Sequence, residues 1–481
     1  MNAATARVIL PTALALGLLA DWLFRAHQPR AGFALWCLAG LSAALLIGRR
    51  YTAAADDARR ERRVLITTAM ALVLLLVMRE APTLYAVNGG ALVITLVVVA
   101  WRALGRPLTQ LEPRDALIGG LAAAGSLAGG APTLLLRDAK AAAVGERVTG
   151  HYKSFGVGTL VALPVLLIVT SLLAAADPIF EGLLDDFGAL LDTAIAEHIG
   201  ITLATAWVTA GALRGSLVPL AVDGTRFRKT WELPLSTFLP ALGGLTLLLG
   251  AWIVLQVRAL FGGATYVATT AGITVAEYAR NGFFELIVIA GLVLAVLLIT
   301  DDLLLRAAEP ARRTFRQMGT LLVGLVGAVL GSAVLRLSLY LGYYGLTEDR
   351  VLALAVLVWV ALVLGWFAFT VLRGQRLRFA RGVLGISLVW LAAFNLSNPE
   401  RWIVETNLGR AERGLDFDVA YHATLSADAL PALRKAQARL PEPLARALQE
   451  AVDAQWATLN ARRATDWREW TLPYLVFARA Q

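Results

Sequence analysis

The sequence predicts an all-α fold: a polytopic transmembrane bundle of about eleven helices, followed by a small C-terminal extracytoplasmic helical domain. Three observations lead there. Of the 481 residues, 58% are hydrophobic and 16% charged, against roughly 45–50% and about 25% in soluble domains. Runs such as ALVITLVVVAW, ELIVIAGLVLAVLLI and VLALAVLVWVALVLGWFAFTVL have the length and apolarity needed to cross about 30 Å of hydrocarbon. Basic residues also sort by loop, as they do in membrane proteins. Together these exclude a soluble enzyme.

In chain order, the apolar runs place spans near 8–24, 31–48, 64–78, 84–101, 155–174, 196–213, 239–257, 282–300, 318–335, 351–372 and 382–396. Residues 1–396 form the bundle and 397–481 the C-terminal domain. With the N-terminus cytoplasmic, the inner segments carry 26 Lys and Arg, while the outer loops carry 7. The tail holds 11 bases against 11 acids. The net charge of +9 is therefore a topology signal rather than a nucleic-acid patch, and DDARRERR (Asp56 to Arg63) is its strongest cytoplasmic anchor. The expected location is a bacterial inner membrane, with the C-terminus extracytoplasmic.

The first span is read as a retained helix. Only Arg7 precedes it, and Asp21 and Trp22 lead into a second apolar run, which is unlike a cleaved leader. Residues 115–135 are rich in Gly and Ala and flanked by bases, so they are expected to form an in-plane or re-entrant piece. Gly324, Gly327 and Gly331 line one stripe of span nine, and Gly211 and Gly215 repeat the four-residue spacing; both allow close helix approach. The tail is expected to hold a helix after Ser426 as N-cap and a second over Pro443 to Arg463. It ends in the aromatic stretch DWREWTLPYLVFA.

Charges at a membrane edge are expensive and are the first place to look for function. They gather on the outer side: Asp177 after span five, Glu277, Tyr278, Arg280 and Glu285 leading into span eight, and Arg336 and Tyr340 on one face of span nine. Asn398, Glu400, Asn407, Arg410 and Asp416 follow span eleven. One reading makes these residues a polar network that docks the tail on the bundle. A second makes them an outward site for an anionic lipid, lipid-linked sugar or other envelope molecule, with Arg280 and Arg336 on phosphate or carboxylate and Asp177 or Glu277 as base. A third is transport, with Glu285 as an ion or proton site. Glu277 and Arg280 lie one helical turn apart and can pair. Glu285 needs another partner, for which Arg336 is the first candidate.

Several segments carry a resemblance: ADPIF from Ala176, FGG from Phe261 followed by AEYARNGFFEL, RLSLYLGYYGLTEDR from Arg336, NPERWIVETNLGR from Asn398, and LDFDVAYHATLSADALPAL. In order and wording they resemble a family of bacterial multi-pass membrane proteins known as a domain of unknown function, forty-one seventy-three in its series. The resemblance covers the chain from about 150 onward, with Val275 standing where a tyrosine is expected. It implies a polytopic membrane protein and brings no catalytic role with it.

Known chemistries find no motif. The histidines His27, His151, His198 and His422 show no zinc spacing. His422 follows Asp416 and Asp418 closely, but reads as a solvated surface side chain. No phosphate-binding loop, dinucleotide fingerprint or nucleophile elbow is present, and Cys37 is the single cysteine. No cofactor and no metal are expected, and whether the chain is an enzyme stays open, with no catalytic motif to favour it. Expected partners are membrane lipids, with a lipid or envelope-molecule ligand and a protein partner as further candidates and nucleic acid excluded. The role expected is an accessory or regulatory one in the cell envelope.

Overall fold

The computed structural model describes residues 3–51, 56–103, 107–111, 113–134, 193–217, 234–261, 283–304 and 308–480. All regular structure among the described residues is helical. The chain runs through α1 (Ala3–Leu23), α2 (Arg30–Tyr51), α3 (Asp56–Met78), α4 (Pro82–Ala103), α5 (Pro113–Thr133), α6 (Thr193–Leu217), α7 (Leu239–Phe261) and α8 (Phe283–Leu303). It continues through α9 (Glu309–Tyr344), α10 (Glu348–Thr370), α11 (Phe379–Ser397), α12 (Pro399–Ala411), α13 (Val419–His422), α14 (Leu430–Gln437), α15 (Glu442–Arg463) and α16 (Leu472–Ala478).

Ten of the expected spans fall on α1–α4 and α6–α11; the span at 155–174 lies outside the described residues. Six helices among the described residues are long and apolar enough to cross a membrane: Arg30–Arg50, Pro82–Arg102, Glu285–Leu303, Glu309–Gly342, Glu348–Thr370 and Arg376–Ser397. At 1.5 Å per residue, even the 19-residue member reaches about 28 Å, close to the hydrocarbon thickness. Their outward faces stay apolar, with Val288 68% and Val389 72% exposed, as helices bathed in lipid require.

Two sets of helices build separate cores. One joins α1–α6 through Ile9, Ala44, Leu65, Val99, Leu134 and Leu213. The other joins α7–α11 through Leu242, Leu297, Leu322, Leu357 and Phe367. Leu391 of α11 packs with Leu72, Leu76 and Leu92 and ties the sets together.

The glycine expectations divide. Gly211 and Gly215 are used: a Cβ on Gly211 would come 2.5 Å from the Ser126 carbonyl oxygen, and one on Gly215 2.6 Å from Ser126 Cβ. At Gly324, Gly327 and Gly331 an added Cβ meets nothing within 4 Å among the described residues, so no described helix uses that stripe for close approach. Residues 113–133 form one continuous helix against α4 and α6, without the break a re-entrant piece would need.

Loops fall on two faces. The α1–α2, α3–α4 and α9–α10 corners and the end of α11 meet the helices α12–α16, which defines the tail face. The opposite face gathers Glu61 with Arg102 (2.5 Å) and Arg376 with Asp301 and Asp302 (3.3 and 2.6 Å).

The tail helices do not pack alone. Ile403, Val404, Leu430, Leu448 and Phe477 share one core with Ala81, Leu84, Val351 and Phe394 of the bundle. A junction that buries apolar residues from both parts also buries backbone and charge, and those groups must find partners there.

Candidate functional site

The α3–α4 corner is the centre of the tail face. Pro82 opens α4 at a position where a missing N–H costs little, and Arg79, Glu80 and Ala81 span the short link before it. Glu80 is 6% exposed and Arg463 of α15 only 3%. Arg463 donates from both terminal nitrogens to the two Glu80 carboxylate oxygens, at 2.8 and 2.5 Å. The Thr471 hydroxyl donates to Glu80 Oε2 at 2.9 Å, and Arg30 donates to the Glu80 carbonyl at 3.0 Å. Burial by itself pushes the Glu80 carboxyl up, but the Arg463 guanidinium and the Thr471 hydroxyl outweigh it and hold the group below its ordinary range. A two-pronged arginine on a buried carboxylate is the strongest form of such a bond.

Asp428 is the second anchor. It is 3% exposed and accepts from Arg79 Nη1 at 3.0 Å and from the backbone N–H groups of Glu80 and Ala81 at 2.5 and 3.1 Å. Arg79 also donates from Nε to the Asn395 carbonyl at 2.7 Å. Inside the bundle, Asn88 of α4 and Asn395 of α11, both 0% exposed, exchange two amide bonds of 2.9 Å.

The chain then turns sharply. Asn398 takes a left-handed φ of 50°, tolerable for asparagine. Its side chain caps α12 by accepting from Arg401 N–H, and donates to the Asp428 carbonyl at 3.2 Å. Glu400, 1% exposed, accepts from the Ser426 backbone N–H and hydroxyl at 3.0 and 2.8 Å. The Glu348 carboxyl faces the same point and adds a second like charge beside it. Burial, and next the Asp428 charge, push the Glu400 carboxyl up to about 8, against the hydrogen bonds from Ser426.

α12 also holds the α9–α10 corner. Asn407 accepts from Leu346 N–H at 2.8 Å and donates to the Leu346 carbonyl at 2.9 Å. Arg410 donates to the carbonyls of Leu341 and Gly342, satisfying the end of α9. Tyr421 accepts from Glu348 N–H at 2.9 Å. His422 is 1% exposed, which corrects the expectation of a solvated side chain: it stacks on Phe417 at 4.2 Å and shares a contact of 3.2 Å with Asn407. Burial holds its imidazolium form down. Ser426 caps a turn rather than a helix, accepting from Asp428 N–H at 3.2 Å; α14 starts only at Leu430.

Of the residues expected at the site, Asn398, Glu400, Asn407 and Arg410 converge here. Tyr340 lies beside this corner, under Arg350 at 4.3 Å, and Asp416 is exposed. Asp177, Glu277, Tyr278 and Arg280 lie outside the described residues. Arg336 is buried at 6% and sits over the Trp252 ring at 5.8 Å. Glu285 is exposed on α8 and forms no ion pair with Arg336. Sequence reading missed Glu80, Arg463, Asp428, Thr471 and Asn88. Asn88 and the Arg79–Glu80 pair were visible as polar interruptions of apolar runs; their partners, hundreds of residues away, were not. No group of three or more His, Cys, Asp or Glu side chains is placed to hold a metal among the described residues.

Apolar helices of bilayer length, joined on one face by a closed set of buried charges, define a helical membrane protein. The chain belongs to the family described as domain of unknown function DUF4153, which it matches over residues 65–436. The family is one of unknown function, as the motifs implied, with the series number forty-one fifty-three in place of forty-one seventy-three. The match begins well before residue 150. No curated protein and no solved structure matches the chain.

Proposed function

We propose that this is a bacterial inner-membrane protein of about eleven spans, with the tail face extracytoplasmic, serving as an accessory or regulatory component of the cell envelope. In this reading the tail-face network is a clamp that fixes α12–α16 as a platform on the bundle. The observation that carries it is the pairing of Glu80 with Arg463, buried on both sides and closed by Thr471. Groups so consumed by one another are not presented to a substrate. The excess of arginine on the opposite face supports the orientation.

Alkaline phosphatase fused to the C-terminus should be active in intact cells, and a fusion in the α2–α3 loop inactive. A deletion strain should show altered sensitivity to detergents, and Arg463→Ala, inserted at normal levels, should not restore it. Full restoration by that variant, or a deletion without an envelope phenotype, would overturn the role.

The buried Glu400 carboxyl, crowded by Asp428 and Glu348, gives this clamp a pH dependence. The Glu400 carboxyl titrates near 8 when the tail is docked, against an ordinary value of 4.5. The docked form therefore holds a proton that the undocked form releases, so docking is fully stabilised below about pH 4.5 and progressively lost up to about pH 8. Glu348 and Asp428 face the same carboxyl and act in the same direction. Protease resistance of the tail should fall between pH 5 and 8 in the parent, while Glu400→Gln should flatten that profile.

A further inference from the structure

A second feature lies between the two helix sets, away from the polar clamp. α4, α10 and α11 enclose a partly open slot of about 630 Å³. Its lining runs along α4 from Val87 to Trp101 and along α11 from Phe394 back to Phe379, with Leu352 and Trp359 of α10 as its wall. At helical rise, Val87 to Trp101 is about 21 Å, most of the depth of a bilayer core.

The lining is almost wholly apolar, and its polar atoms look inward. Thr95 donates to the Ala91 carbonyl at 2.8 Å, Trp359 to Ser387 Oγ at 2.9 Å and Trp390 to the Ala355 carbonyl at 3.1 Å. Such a space offers water few partners, yet it is far larger than the voids native packing leaves. All three helices are among those long and apolar enough to span, so the phase around the slot is hydrocarbon.

The slot's mouth, at the end away from the tail, is marked by charge. Phe379 and Ala380 line it, and Arg378 and Arg381 flank them in sequence, both exposed. Arg378 donates to the neutral amide of Gln375 at 3.0 Å, and neither arginine forms an ion pair among the described residues. Their neighbours Arg376 and Arg102 are by contrast neutralised by Asp301, Asp302 and Glu61.

From this we propose that the α4–α10–α11 slot is a binding site for one acyl chain of an anionic phospholipid, with its headgroup phosphate on Arg378 and Arg381 at the face opposite the tail. An apolar channel of bilayer depth recognises the chain, and two uncompensated cations at its mouth select the leaflet and the headgroup charge.

The test uses the full-length protein in nanodiscs of phosphatidylglycerol and phosphatidylcholine, doped with either phospholipid carrying a photoreactive diazirine in its acyl chain. Mass spectrometry then maps the labelled residues. Labelling at Ile94 and Leu388 should exceed that at Leu247 and Leu248, which are 76% and 67% exposed on the outer face of α7. The phosphatidylglycerol probe should be preferred in the slot by about tenfold. Arg378→Gln with Arg381→Gln, both surface changes, should remove that preference. Gly90→Leu should abolish slot labelling, since Gly90 lines the slot and a Cβ there meets nothing within 4 Å among the described residues. Labelling no higher than at Leu247 overturns the proposal, as does a preference untouched by the double variant, or a cross-link showing the slot filled by another part of the chain or a second copy.

Discussion

Arg463→Ala is expected to destabilise the junction by about 3–5 kcal/mol, because it leaves the Glu80 carboxylate buried without its counter-charge. Glu80 keeps only Thr471 and the more distant Arg30, which do not replace a two-pronged guanidinium. The readouts are a lower unfolding temperature in detergent and faster proteolysis within α15. Glu80→Met with Arg463→Met should recover much of the loss, since replacing a buried pair by apolar side chains is often close to neutral. A single variant as stable as the parent would show that the pair does not anchor the junction.

Gly345→Val should be nearly as damaging for a different reason. Gly345 closes α9 with a φ of 73°, a conformation that costs a side-chain-bearing residue about 1–3 kcal/mol. An added Cβ would also collide with Asn407 Oδ1 and approach Arg410 Nε at 3.1 Å. Backbone strain and displacement of both α12 side chains thus fall on one atom. Hydrogen exchange at Leu346, whose N–H is held by Asn407, should rise sharply, while exchange in α2 should not change.

How far the sequence could be read depended on the range of the interaction. Helix positions were legible because each depends on a local run of apolar residues, and Pro399 after Asn398 marks a helix start in any context. The end of α9 was less legible. The apolar run weakens near Leu335, yet the helix continues to Tyr344, because Arg410 and Arg350 satisfy the carbonyls of its last turn from outside. Four of the twelve expected site residues met in the clamp since they lie in one short stretch from Asn398 to Arg410. Glu80 had no local sign of its partner: Arg463 is 383 residues away, and nothing in either neighbourhood names the other. His422 misled for a related reason, its polar setting in sequence hiding the Phe417 ring that covers it.

That separation bears on how the protein is made. At about 5–20 residues per second, translation of the 383 residues between Glu80 and Arg463 takes roughly 20–75 s. The α3–α4 hairpin must therefore enter the bilayer and wait with an uncompensated acid at its tip, and Asn88 waits with it for Asn395. The growing chain passes through a long-lived half-assembled state in which its earliest helices lack the polar partners that the tail supplies later. Truncated or stalled chains lacking α15 would expose that acid permanently, which offers membrane quality control a simple chemical sign of an unfinished molecule.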